Sequence, residues 1–131
     1  MPTSSEKEME IKPKISILLP VYNCEDYIQQ SIESILNQTF EHFELIIIDD
    51  GSDDSSAEIV SSFMDTRIRF IMQKNIGLAA SLNKGIELSR ANFIARQDAD
   101  DISLPTRLMK QYEFMNDNPD CYLLGTAIAR P

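Results

Sequence analysis

An α/β fold with a mostly parallel sheet is what this sequence predicts, on three observations. Four short apolar runs alternate with four amphipathic stretches. The clearest runs, Ile15-Ser16-Ile17-Leu18-Leu19 and Leu45-Ile46-Ile47-Ile48, are nearly continuous, as strands covered on both faces are. Each of the four runs is followed by a polar cluster. Strand and helix in regular succession give parallel strands joined by crossovers. With 131 residues, 43% of them apolar, the chain has room for one modest domain with a real core.

The elements follow in order. Ile15–Leu19 is a strand closed by Pro20, and Ile28, Ile32, Ile35 and Leu36 then predict a helix from about Asp26 to Gln38. Leu45–Ile48 is the best-defined strand and runs into Asp49-Asp50-Gly51-Ser52. Ala57, Val60, Phe63 and Met64 form one helical face, with Ser55 and Glu58 at capping-box spacing. A third strand, Ile68–Met72, contains Arg69, which predicts a place nearer the sheet edge. Leu78, Leu82 and Ile86, four apart, mark the third helix, and Phe93–Ala95 the fourth strand. Pro105 suits the first turn of a helix whose buried face is Leu108, Tyr112 and Met115. Tyr122-Leu123-Leu124 predicts a fifth strand. Residues 1–13, polar and charged, are expected to be a flexible tail ahead of a domain over residues 14–131.

Composition narrows the function. A net charge of −9 argues against nucleic acid or an anionic membrane as the main partner. The same charge would repel a phosphate-bearing substrate, a conflict that a divalent cation resolves. No apolar run approaches the roughly 18 residues of a membrane span, and the N-terminal stretch lacks the apolar core of a secretory signal. Cys24 and Cys121 have neither metal-site spacing nor the density of a disulfide scaffold, so a reduced, cytoplasmic setting is expected.

In a parallel sheet the carboxyl ends of the strands share one rim, and ligands bind there. Here the rim carries Pro20-Val21-Tyr22-Asn23, Asp49-Asp50-Gly51-Ser52, Asn75-Ile76-Gly77 and Asp98-Ala99-Asp100-Asp101. Three acids within four residues repel each other unless a cation or donors lie close. Aspartates two apart offer hard oxygen ligands to Mg²⁺ or Mn²⁺; an acidic loop solvating a surface turn is the plain alternative.

Other chemistries fail on residues. Neither G-x-G-x-x-G nor G-x-x-x-x-G-K-[ST] is present. An EF-hand starting at Asp98 would need a ligand at Ile102 and a bidentate acid at Met109. The single histidine, His42, precedes the second strand and reads as a surface residue. What fits is a site holding a nucleotide by its base and a diphosphate through a metal. Asp50 can accept a base N–H, and a turn at Gly51 lets backbone approach a ligand. Tyr22 could stack on a base or simply close a loop. Asn75 and Gly77 could contact a ribose or phosphate, or form a turn before an ordinary helix start.

In their order and spacing, Pro20-Val21-Tyr22-Asn23, Asp49-Asp50-Gly51-Ser52, Asn75-x-Gly77 with Asn83-x-Gly85, and Asp98-Ala99-Asp100-Asp101 resemble the family 2 glycosyltransferases of the GT-A fold. Ser34-Ile-Leu-Asn-Gln-Thr-Phe40 and Leu104-Pro105-x-Arg107-Leu108 are similar to that family's connecting segments, so the resemblance runs from about Pro13 to the last residue. It implies a Rossmann-like three-layer sandwich, truncated on its C-terminal side. It also implies sugar transfer from a nucleoside-diphosphate sugar, a UDP-sugar first among them, to a hydroxyl acceptor with inversion, in cell-surface polysaccharide or glycoconjugate synthesis.

Carried over by position, Pro20, Tyr22, Asn23 and Asp50 line the nucleoside pocket, with Asp50 on the base. Asn75 and Gly77 complete it. Asp98 lies by the ribose and metal, and Asp100 is the principal ligand of Mg²⁺ or Mn²⁺. Asp49 is then a structural acid behind the site, and Asp101 orients its neighbours. The resemblance puts the catalytic base after the metal motif, beyond Pro131. Glu113, Asp117 and Asp120 are expected to be solvated rather than catalytic. The expectation is therefore donor and metal binding with little transfer by these residues alone, peripheral attachment to the inner face of a membrane only through further segments, and dimers if apolar surface is left uncovered.

Readings from other classes are weaker. A receiver module places acids after its first and third strands and a lysine after its fifth. A nucleotidyltransferase would carry a Gly-rich basic loop after the first strand, where Pro20–Tyr27 has neither. A non-catalytic nucleotide-sugar and metal-binding module is the nearest rival.

Overall fold

The computed structural model describes residues 12–119. The strand expected at Tyr122–Leu124, Cys121, Asp120 and most of the expected tail lie outside them. Four strands, β1 (Ile15–Val21), β2 (Phe43–Asp50), β3 (Ile68–Gln73) and β4 (Phe93–Arg96), alternate with four helices, α1 (Ile28–Leu36), α2 (Ser56–Ser61), α3 (Leu78–Leu88) and α4 (Arg107–Asp117). The sheet is parallel throughout in the order β3-β2-β1-β4. Arg69 accordingly sits on an edge strand. The strands are longer than their apolar runs, because β1 continues through Pro20 to Val21 and β2 through both aspartates.

The sheet is covered on both faces, giving three layers. Ile17, Leu19, Leu45 and Ile47 project to one side, where Ile28, Ile32 and Ile35 of α1, Val60 of α2 and Leu108 of α4 pack. Leu18, Ile46 and Ile48 project to the other, against Leu82 and Leu88 of α3. Every residue of β2 is buried, which is why its sequence shows no alternation.

The third helix stands where its apolar residues marked it, while the expected cap and face of α2 are corrected. On α3, Leu78 and Ile86 are each about half exposed, while Ser81 and Gly85 are buried. The row Leu78, Leu82, Ile86 drifts about 80° round the helix, and it is Leu82 with Leu88 that packs against the sheet. The face that does so is small: a methyl group on Gly85 would lie 2.9 Å from Leu18 Cδ2 and 3.2 Å from Ile48 Cδ1. Glycine lets the helix sit that close. On α2 the Ser55 side chain makes no cap bond; Asp54 Oδ1 takes the Ser56 N–H at 2.9 Å instead. The helix ends at Ser61, so Met64 leaves the expected face and is 91% exposed.

At the amino end of the strands a buried carboxylate ties the layers together. Glu44, 1% exposed, accepts from the Ser16 hydroxyl at 2.5 Å, the Arg90 backbone N–H at 2.7 Å, Arg69 Nη1 at 3.0 Å and Arg90 Nε at 3.1 Å. Burial opposes its ionisation, but these donors outweigh burial and hold its carboxyl below the ordinary range. His42 is exposed, as expected, with its ring edge-on to Phe40. Among the described residues no helix is long and apolar enough to cross a membrane.

Candidate functional site

All four strand ends open on one rim, and the two polar loops that matter flank β1. Because β2 and β4 lie on either side of β1, the two strands run about 10 Å apart, with β2 extending four residues further toward the rim than β4. The strand order reverses between β1 and β4, the place where open parallel sheets leave a crevice.

On the α3 side of the sheet, Pro20, Val21, Tyr22, Asp50, Asn75, Gly77, Leu78 and Ser81 line a groove of ≈ 280 Å³. Five of the eight positions expected to form the site are here: Pro20, Tyr22, Asp50, Asn75 and Gly77. Tyr22, one of the lining residues, is 48% exposed. Asp50 is buried at the end of β2 and its oxygens are unequally engaged. Oδ1 accepts from the Ile76 N–H at 2.8 Å and from Gln73 Nε2 at 3.0 Å. Oδ2 accepts from the Gly77 N–H, at 3.0 Å. Burial works against the charge on Asp50; the Ile76, Gln73 and Gly77 donors with the Ser81 hydroxyl outweigh it and hold the carboxyl below its usual range. The Gly77 N–H therefore serves Asp50 in this structure rather than a phosphate.

Gly51 makes this loop arrangement sterically feasible. Its φ of +78° suits glycine, and a methyl there would approach the Asn75 nitrogen to 2.8 Å. Asn23, at φ 50°, does structural work of the same kind. Its N–H donates to Ser52 Oγ at 2.9 Å, and its Oδ1 accepts the Asp53 N–H at 2.8 Å, binding the β1 loop to the β2 loop. It does not line the groove. Asp49 projects to the opposite face of β2 from Asp50, as alternation along a strand requires. Its Oδ2 accepts the Ser52 N–H at 3.2 Å and its Oδ1 is buried without a partner. Nearby Cys24 is a free thiol whose pKa is raised, by burial first and then by Asp100, Asp54 and Asp49.

After β4, one carboxylate oxygen from each of Asp98, Asp100 and Asp101 falls within 4.8 Å of the others. Asp100 is exposed, Asp98 half-buried and Asp101 buried. Arg96 donates to Asp98 Oδ1 through Nε at 3.1 Å and Nη2 at 3.0 Å. The donor set is all hard oxygen, which suits Mg²⁺ or Mn²⁺ and not a thiophilic ion.

What holds this loop was not visible in the motifs. Gln97, wholly buried, donates through Nε2 to Ser31 Oγ at 2.7 Å and to the Asp101 carbonyl at 3.2 Å. Its Oε1 accepts from Ser103 Oγ and, at 3.2 Å, from Arg107 Nη1. Arg107 Nη2 reaches the Arg96 carbonyl at 2.8 Å. Burial lowers the Arg107 pKa, and the nearby Asp101 opposes that shift. Gln38 links α1 to the same loop, donating to the Leu104 carbonyl at 2.6 Å and accepting the Leu108 N–H at 3.0 Å. These bonds join the two segments that looked like family connectors, 34–40 and 104–108. The available signal was polar residues on the otherwise apolar face of α1.

Comparison with known proteins agrees with this architecture. Residues 16–130 match the family model for glycosyl transferase family 2. The chain belongs to that family. EpsE of Bacillus subtilis (strain 168), a glycosyltransferase by its name, is 40% identical over 124 residues, covering 92% of this chain and 45% of that protein. An uncharacterized glycosyltransferase of Methanocaldococcus jannaschii, MJ1057, is 44% identical over 118 residues, covering 86% of this chain and 41% of the relative. Among solved structures, S. aureus TarS 1–349 in complex with UDP-GlcNAc superposes with a TM-score of 0.76 at 25% identity, over 81% of this chain and 32% of TarS. The chain thus spans less than half the length of these curated relatives. The family and fold are those its motifs resemble, a Rossmann-like GT-A sandwich.

Proposed function

We propose that this chain forms the donor-nucleotide site of a glycosyltransferase that moves a sugar from a nucleoside-diphosphate sugar, a UDP-sugar first, to a hydroxyl acceptor with inversion. The observation that carries this reading is the pairing on one rim of a groove lined by Asp50 with a carboxylate triplet on the other side of β1. The UDP-GlcNAc held by TarS supports the donor class. Cell-surface polysaccharide or glycoconjugate synthesis is the setting we infer.

In this reading Tyr22 stacks on the base, Pro20 closes the groove beside it, and Asp50 Oδ2 accepts a ring N–H. Asn75 contacts the nucleotide from the opposite wall. Asp98 and Asp100 would hold Mg²⁺ or Mn²⁺, with Asp101 beneath them set by Gln97 and its neighbours. When bound, the cation supplies Lewis-acid neutralisation of the charge that develops on the departing diphosphate. Arg96 shares Asp98, which leaves exposed Asp100 as the principal ligand. Gln97, Ser31 and Arg107 keep the loop in place before a ligand arrives, so little reorganisation accompanies binding.

Calorimetric titration of the chain with UDP, GDP, CDP and dTDP, with and without Mn²⁺, tests this. Expected are metal-dependent binding of one or more nucleotides and loss of the metal-dependent part in Asp100→Ala. Absence of binding to all four, or affinity indifferent to both metal and Asp100, would overturn it.

A further inference from the structure

Gln73 was outside every motif, yet it touches the one side chain on which base recognition depends. It is the last residue of β3 and the register partner of Asp50, so both side chains leave the sheet on the α3 face. Its Nε2 donates to Asp50 Oδ1 and to Ser81 Oγ, both at 3.0 Å. Ser81, wholly buried on α3, passes its own proton to the Gly77 carbonyl at 2.9 Å. The amide orientation follows from this network: turned over, its carbonyl would face the Asp50 carboxylate. In the orientation it adopts, Oε1 is left buried without a partner. The demand for a donor at Asp50 thus outweighs the need of the amide's own oxygen.

The consequence for Asp50 is an asymmetry. With the Ile76 N–H and the Gln73 amide both on Oδ1, that oxygen is saturated, and rotation of the carboxylate is blocked from β3 and from the 75–77 loop. Oδ2, engaged by the Gly77 N–H from the loop, is the less heavily bonded oxygen and keeps an acceptor direction. We propose that Gln73 is a positioning residue that locks Asp50 with a single acceptor at the groove, so that the site selects bases carrying a ring N–H, uracil and guanine, over cytosine. This rests on the donor-site reading above and names what sets its selectivity. Uracil N3–H meets a fixed acceptor; cytosine N3 is itself an acceptor and would oppose it. If the carboxylate could rotate, it could instead reach the exocyclic amine of cytosine, and discrimination would fall.

The groups facing Asp50 are neutral. From β3 comes Gln73, from the loop the Ile76 and Gly77 N–H groups, and from α3 Ser81, with Tyr22 just after β1 and Asn75 also lining the groove; Lys74 is exposed, and Asp49 lies on the other face of β2. A carboxyl group placed at position 73 would therefore couple to Asp50 alone.

Titrations with UDP and CDP in the presence of Mn²⁺ test the role, on wild type, Gln73→Met, Gln73→Glu and Asp50→Ala, each first checked for a cooperative melt. Gln73→Met keeps length and removes the donor: UDP affinity should fall about ten-fold, while CDP falls less and the UDP/CDP ratio narrows. Gln73→Glu should bind UDP poorly at pH 8 and recover to about two-fold of wild type at pH 5.5, as a proton shared between two adjacent carboxylates restores the missing donor. Equal loss of UDP and CDP at every pH, or unaltered binding in both variants, overturns the positioning role. If Asp50→Ala abolishes UDP binding in that case, the donor-site reading survives. A wild-type chain that binds no nucleotide overturns both.

Discussion

Glu44→Ala probes the scaffold apart from the site. The substitution removes a carboxylate that is 1% exposed and accepts four hydrogen bonds. The two arginine heads, with side chains 34% and 52% exposed, can turn to water, so their loss contributes little. Ser16 cannot turn away: it is wholly buried and would lose the acceptor for its hydroxyl proton, at about 1–3 kcal/mol. One buried methylene adds about 0.8 kcal/mol. The sum is about 3 kcal/mol, which at a urea m-value of about 1.5 kcal/mol/M moves the unfolding midpoint down by about 2 M.

The pH dependence of that loss has a definite sign. Glu44 is held below its ordinary pKa, so its contribution is complete above the unfolded value and disappears as pH falls through the depressed folded value. Wild type and variant should therefore differ fully at pH 7 and converge in acid. Asp50 lies six residues further along β2, about 20 Å away, so nucleotide affinity of the folded variant should be unchanged. A midpoint shift below about 0.5 M, or a difference independent of pH down to acid unfolding, would refute the assignment of Glu44 as a net stabilising anchor.

Gly85→Leu should be destabilising by about 2 kcal/mol, since its side chain would enter space held by Leu18 and Ile48; by lifting α3 it should also displace Ser81 and weaken UDP binding, which melting and titration together would register. Arg107→Met removes the donors to Gln97, Ser103 and the Arg96 carbonyl from a buried network, at about 3 kcal/mol, so the melting temperature should drop by about 10 °C or more; a change within about 2 °C would mean that the loop carrying the three aspartates is held by other contacts.

Strand positions, parallel order and the acids at the rim are legible from residue order. Apolar runs such as Leu45–Ile48 have no stable place except between two layers, and alternation with helices leaves few ways to connect them. The spacing of Asp98, Asp100 and Asp101 likewise keeps their carboxylates close in any loop so short. Helix faces were less legible, as Leu78 and Ile86 illustrate. The face of α3 that meets the sheet is chosen by how closely Gly85 can approach Leu18, a property of two elements and not of one. Partners were least legible. Gln73 reaches Asp50 from 23 residues away, and Gln97 reaches Ser31 from 66. Local pattern encodes where an acid stands, because burial and chain direction are local consequences of composition. Which donors surround it, and therefore which of its oxygens can meet a ligand, depends on register and helix placement, and these exist only once the layers have packed.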